Sequence, residues 1–150
     1  MGQDGIAGVI ETDRITVADE LAMIGLLGAF NHTRVGPESV LRLGLLLREG
    51  GAEDGKIEGG VLAWSWYGWM HIGFVYLPEA LRGAGLGRRL LQRTEAIARA
   101  RGCHGMWLDT FSFQARGFYE KLGFSVFGEI EDYPPGHSRI FLKKRLDRTG

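Results

Sequence analysis

The stretch Arg82-Gly83-Ala84-Gly85-Leu86-Gly87-Arg88-Arg89-Leu90-Leu91 constrains this chain more than any other. A strand-like run, Trp69 to Leu77, precedes it and closes at Pro78, and a helix-like run follows it and ends near Gly102. The spacing therefore predicts a strand, a short glycine-rich bend and a helix N-terminus. Glycines admit a ligand close to the backbone because no Cβ intervenes. The first turn of a helix leaves N–H groups unpaired, and the helix dipole favours negative charge there. Together these features make a phosphate cradle. Arginine at its mouth adds charge and can grip phosphate through two hydrogen bonds.

The spacing excludes two common phosphate loops. An ATP loop needs Gly-Lys-Ser/Thr after four intervening residues, and the chain contains no Lys-Ser or Lys-Thr pair. A dinucleotide fingerprint wants its third glycine three residues beyond the second, and after Gly83 and Gly85 that place is Arg88.

Composition narrows the partners. A length of 150 residues, 45% of them hydrophobic, suits one domain spanning the chain. Lys+Arg and Asp+Glu both number 18, so the formal net charge is zero. That argues against a nucleic-acid partner, which selects a basic excess, and Lys143-Lys144-Arg145 reads as a solvated strand end. The single cysteine, Cys103, allows no intrachain disulfide and fits a reducing compartment. One cysteine and four scattered histidines build no zinc cluster, so no metal is expected. Met1 to Arg14 lacks the apolar core of a signal peptide, and no apolar run reaches membrane-spanning length. The expectation is a soluble, cytoplasmic protein without a membrane partner; the sequence leaves a homodimer open.

Periodicity orders the remaining elements. Ile6 to Ile10 reads as a short first strand, and Thr16 to Phe30 as a helix capped by Thr16 or Asp19. Asn31 to Pro37 breaks that helix as a polar loop. Val40 to Arg48 alternates Leu41, Leu43, Leu45 and Leu47 on one face, and Lys56 to Tyr67 and Trp69 to Leu77 complete an antiparallel meander. Leu86, Leu90, Leu91, Thr94, Ile97 and Ala98 form the apolar stripe of the helix after the glycine bend. Met106 to Thr110 is then a strand, parallel to Trp69–Leu77 because a helix connects the two. Phe113 to Leu122 reads as a helix stopped by Gly123, followed by strands Phe124 to Glu131 and Ile140 to Lys144 around the loop Asp132 to His137.

This order, with two motifs in it, resembles the GNAT superfamily of N-acetyltransferases. One motif is Val75-Tyr76-Leu77-Pro78-Glu79 running into Arg82-x-x-Gly85-x-Gly87. The other is Phe118-Tyr119-Glu120-Lys121-Leu122-Gly123-Phe124, similar to the family's Tyr-x-x-x-Gly-Phe helix end. The resemblance covers about half the chain, Trp69 to Leu146. It implies an α/β fold: a mixed, mostly antiparallel twisted sheet of six to seven strands flanked by helices. The sheet would open as a V between the fourth and fifth strands, the parallel pair.

The resemblance also implies roles. Acetyl-CoA would be the acyl donor, lying in the V. Backbone groups of Val75, Tyr76 and Leu77 would pair with its pantetheine arm, and Arg82, Gly83, Ala84, Gly85, Leu86, Gly87 and Arg88 would hold its pyrophosphate. Ser112 stands where the family often has Asn, and either Ser112 or nearby Gln114 would contact the pantetheine. Tyr119 matches the general acid, a role suited to a phenol of pKa about 10 that stays protonated at neutral pH. The acceptor would be a small-molecule primary amine attacking directly in a ternary complex. Protein N-terminal or lysine acetylation and non-catalytic CoA binding are the alternatives. His71, read as sharing a face with Val75, or Glu79 could assist the amine as base. Asn31, Asp132 and His137 border the expected acceptor side. Trp64 and Trp66 offer aromatic faces to an acceptor, or belong to the core.

Overall fold

Thr16 and Gly36 bracket the first helix in the computed structural model of the protein, which describes residues 6–146. Helix α1 (Val17–Val35) begins at a capping box, in which the Thr16 hydroxyl accepts from the Asp19 N–H and the Asp19 carboxylate accepts from the Thr16 N–H. It ends where Gly36 takes φ 84°. The helix runs a turn beyond its expected end. Asn31 to Val35 continue it instead of forming a loop, because no Gly or Pro interrupts them, and His32 and Arg34 suit the negative end of the helix dipole. Ile6 to Ile10 does not form the expected strand; a turn closed by Val9 N–H to the Ile6 carbonyl (3.0 Å), with Gly8 at φ 79°, occupies it. These elements belong to the first of two units, which divide between Glu38 and Ser39.

The second unit is built on a six-stranded sheet in the order β1-β2-β3-β4-β6-β5. Its strands are β1 (Leu41–Arg48), β2 (Ile57–Trp66), β3 (Trp69–Tyr76), β4 (Gly105–Phe111), β5 (Ser125–Glu131) and β6 (Ser138–Arg145). The first three form the antiparallel meander that their alternation predicts. The hairpin between β2 and β3 turns through Tyr67 and Gly68, both at positive φ, which matches the twist of the flanking strands. Helix α2 (Leu86–Ala100) carries the chain from β3 across to β4, and that pair alone in the sheet is parallel. Helix α3 (Arg116–Lys121) is shorter than the expected Phe113–Leu122, because Ser112 to Gln114 form a turn. The Gln114 side chain shapes it, its Oε1 accepting from Phe111 N–H (2.9 Å) and the Thr110 hydroxyl (3.0 Å). Among the described residues no helix is long and apolar enough to cross a membrane.

The core lies where α2 and α3 meet one face of the sheet. Met70, Ile72, Met106, Leu108, Ile140 and Leu142 from the central strands are buried with Leu91, Thr94 and Ala98 of α2 and Tyr119 of α3. These three α2 residues fall on the predicted apolar stripe, and Leu90 and Ile97 flank them as partly buried residues.

One irregularity positions everything that follows. Ala63 pairs with Ile72 and Leu62 with Phe74, so Gly73 is an extra residue on β3, a β-bulge. Before it, Met70 and Ile72 are in the core; after it, Val75 packs there while Phe74 and Tyr76 are exposed. The bulge inverts the alternation and puts His71 and Val75 on opposite faces, against the expectation that they share one. Glycine fits the bulge without displacing its neighbour, since a Cβ on Gly73 would sit 2.5 Å from the Trp64 ring edge and push that ring aside.

Candidate active site

Strands β3 and β4 pair over only three positions, Trp69 with Gly105, Met70 with Met106 and His71 with Trp107. Past the Gly73 bulge they diverge, and a cavity of about 800 Å³ fills the fork. Gly73 to Leu77 form one wall, Asp109, Thr110 and the turn to α3 form the other, and the glycine-rich bend with the first turn of α2 closes one end.

That end is an anion cradle. Gly85, the N-cap of α2, takes the left-handed conformation (φ 80°, ψ 7°), and Gly83 has φ 82°. No atom lies within 4 Å of where a Cβ would stand on either, so the backbone there is open to a ligand. The first intrahelical bond is Arg89 N–H to the Gly85 carbonyl (3.1 Å), which leaves the amides of Leu86, Gly87 and Arg88 as first-turn donors. Gly87 serves packing instead, because a Cβ there would press on Leu77 and Phe118 at 3.3 Å. Arg88 lines the cavity. Arg82 bonds back to the Leu77 carbonyl through Nε (2.9 Å), with its guanidinium over the Tyr76 ring. The cradle fits a phosphate-bearing ligand.

Tyr119 reaches the cavity from α3. Its ring packs edge-on against Phe118 and Phe124, and burial pushes the phenol pKa up to about 12. The hydroxyl is therefore a proton donor throughout the neutral range. Gln114 lines the same wall; its oxygen is used by the turn, and its amide NH₂ has no partner among the described residues.

The acidic side of the fork was not anticipated. Asp109 lines the cavity from β4. Its Oδ2 accepts from Arg139 Nε at 2.7 Å, and Arg139 also donates to Tyr133 Oη at 3.1 Å. His71 stands behind Asp109, with Nε2 4.0 Å from Oδ1. Its imidazole stacks on Trp107 (centroids 3.7 Å apart) and meets Trp64 edge-on (4.6 Å). Burial holds the His71 pKa below the usual histidine value, with Arg139 acting in the same direction and Asp109 opposing.

The fork brings together Val75, Tyr76, Leu77, Arg82, Gly83, Gly85, Leu86, Gly87, Arg88, Gln114 and Tyr119. Ala84 and Ser112 do not line it. Ser112 ties the turn to β6, its N–H donating to the Ser138 carbonyl (2.8 Å) and its hydroxyl accepting from Ser138 N–H (3.0 Å). His71 does not line the cavity and stands beside Asp109, which does. His137 lies edge-on to Phe113 (4.9 Å), a lining residue, while Asp132 starts its loop at φ 53°. Asn31 is on α1, in the other unit. Asp109 carried a signal as a lone acid inside the apolar strand Met106-Trp107-Leu108-Asp109-Thr110; Arg139, one of four bases in the last strand, carried little.

Comparison with known proteins agrees with this geometry. The model of the acetyltransferase (GNAT) family matches residues 34–124. Acetyltransferase Atu2258 of Agrobacterium fabrum is 33% identical over 127 residues, 85% of this chain and 90% of that protein. The blasticidin-S acetyltransferase of Streptomyces morookaense is 41% identical over 95 residues, 63% of this chain and 70% of its own. The crystal structure of an acetyltransferase from Bacillus cereus superposes with a TM-score of 0.77 at 33% identity, covering 91% of this chain and 98% of that one.

Proposed function

The chain belongs to the GNAT family and is an acetyltransferase, and from that premise we propose that it moves an acetyl group from acetyl-CoA to a primary amine of a small molecule. The carrying observation is the forked cavity, which joins a glycine-rich helix N-terminus to the Tyr119 phenol in one continuous space. The N–H groups of Leu86 to Arg88, with Arg88 itself, suit the pyrophosphate. The free edge of β3 from Gly73 to Leu77 suits a pantetheine arm lying along it as an added strand. Acetyl-CoA supplies the activated acyl group as a thioester. Tyr119 holds a proton at Oη for the thiolate that departs, and its burial keeps that proton in place at neutral pH. Direct attack in a ternary complex needs both substrates at the fork together, and the chain offers no cysteine there, Cys103 being buried elsewhere in the core.

Small amines are favoured over protein substrates because Phe113, which lines the fork, belongs to a cluster of rings with Phe111, Tyr133 and His137 that offers an acceptor a compact aromatic surface. The name of the blasticidin-S relative is in keeping with that reading. The test is a screen of primary amines and of peptides with free N-termini or lysines. The protein is mixed with acetyl-CoA, and a thiol reagent reports released CoA. Amine-dependent release with an N-acetylated product by mass is expected. Reaction of peptides alone would make it a protein acetyltransferase. CoA binding without release by any amine would reduce it to a binding module.

A further inference from the structure

Asp109 is the one acidic side chain among the residues lining the cavity. It lies on β4 two residues beyond Trp107, the last position paired with β3, so it occupies the point where the strands part. Its carboxylate is one-fifth exposed and rigidly held. Arg139 grips Oδ2, and Arg139 is itself fixed by Tyr133 Oη and by the rings of Phe111, Tyr133 and Phe141, each within about 6 Å of its guanidinium carbon. Oδ1 accepts no hydrogen bond among the described residues. His71 Nε2, at 4.0 Å from Oδ1, is beyond hydrogen-bond reach, is buried and has no hydrogen-bond partner among the described residues.

A half-engaged carboxylate at a partly buried position attracts a charged donor strongly, because charge-assisted hydrogen bonds are the strongest available and water screens them little there. Phe113 and Phe118 supply apolar surface in the same cavity. We propose that Asp109 Oδ1 anchors the acceptor through an ammonium group, so that the acceptors are amines that bind as cations and pass one proton to solvent before the nitrogen attacks, with Arg139 as the positioning residue for the carboxylate. This rests on the reading of the protein as a small-amine acetyltransferase and narrows its substrate class.

The test is binding to the CoA-saturated protein, where no transfer can occur. Calorimetry is run with propylamine, putrescine and phenethylamine, and with the alcohols in which hydroxyl replaces each amine. At least one amine should bind ten-fold or more tightly than its alcohol. Asp109→Asn should bring the pair within about two-fold of each other while CoA affinity stays at the native value. Asp109→Glu, which keeps the charge, should retain part of the preference; a merely structural role would not follow charge in this way. Equal binding of amines and alcohols by the native protein, no binding by any amine, or a preference that survives Asp109→Asn would each overturn the proposal. The two readings fail separately. Acetyl transfer to neutral amines alone would keep the acetyltransferase and remove the anchor. An Asp109-dependent ammonium preference without any acetyl transfer would do the reverse.

Discussion

Tyr119 is 7% exposed, and that burial both raises its pKa to about 12 and keeps its proton at neutral pH. Tyr119→Phe retains the ring between Phe118 and Phe124 and removes the hydroxyl that carries the proton. Positioned acid catalysis contributes ~10²–10⁴-fold, so the single-turnover rate at saturating amine should fall within that range. Acetyl-CoA affinity should fall less than ten-fold, since one hydrogen bond nets about 1 kcal/mol. An unchanged single-turnover rate would leave Tyr119 as a core aromatic. The same pKa makes a stability prediction. The folded pKa lies above the value of about 10 expected in the unfolded chain, so above pH 10 the unfolded state binds fewer protons and stability falls as pH rises toward 12. Urea midpoints should therefore drop more between pH 9 and pH 11 for the native protein than for Tyr119→Phe. Parallel curves would mean that the phenol is not desolvated in solution.

The fork depends on two glycines doing different things. Gly85 sits at positive φ in open space, so a side chain there meets no atom. Aspartate is among the side chains that visit that left-handed backbone most readily, at a cost of about 1–2 kcal/mol, so Gly85→Asp should fold with a somewhat lower urea midpoint. It would also place a carboxylate in the mouth of the anion cradle. Calorimetry should find acetyl-CoA binding lost; unchanged affinity would move the pyrophosphate elsewhere. Gly73 is the opposite case, closed in by the Trp64 ring edge at 2.5 Å. Gly73→Ala must displace that ring or the bulge, and overpacking of this kind costs typically ~1–3 kcal/mol, readable as a lower urea midpoint. Equal stability would show that Trp64 moves aside freely. The cradle was legible in the sequence because glycines at fixed spacing between a strand pattern and a helix pattern leave few other conformations. The bulge was not. A single Gly in Trp69-Met70-His71-Ile72-Gly73-Phe74-Val75-Tyr76 does not reveal that one residue drops out of register, and so His71 was assigned to the wrong face. Asp109 was overlooked for a related reason: which face of β4 opens on the cavity depends on where β3 leaves it.

For the molecule as a whole, the order of elements from β1 to β6 was readable, because each apolar period and each breaker is local. The ends were less so. The polarity of the run after Phe30 masked the continuation of α1 to Val35, and Gly8 at φ 79° turns Ile6 to Ile10 back on itself instead of letting it extend. A whole-molecule measurement can separate folding from ligand capture in every variant above. A ligand that binds only the folded state stabilises it by RT ln(1 + [L]/Kd), about 2.7 kcal/mol at one hundred times Kd. For a chain of this length each kcal/mol raises Tm by roughly 2–4 °C, so saturating CoA should raise the native Tm by roughly 5–11 °C. Tyr119→Phe and Asp109→Asn should keep nearly the full shift, because neither residue belongs to the anion cradle. Gly85→Asp should start from a Tm a few degrees lower, because its backbone is left-handed, and show almost no shift. Gly73→Ala should start lower and still respond, because the Leu86 to Arg88 amides proposed to receive the phosphates are built on α2 and not on the bulge. If CoA instead raises the Tm of Gly85→Asp by as much as it raises the native value, the ligand is not held at the N-terminus of α2, and the glycine-rich bend is a structural turn.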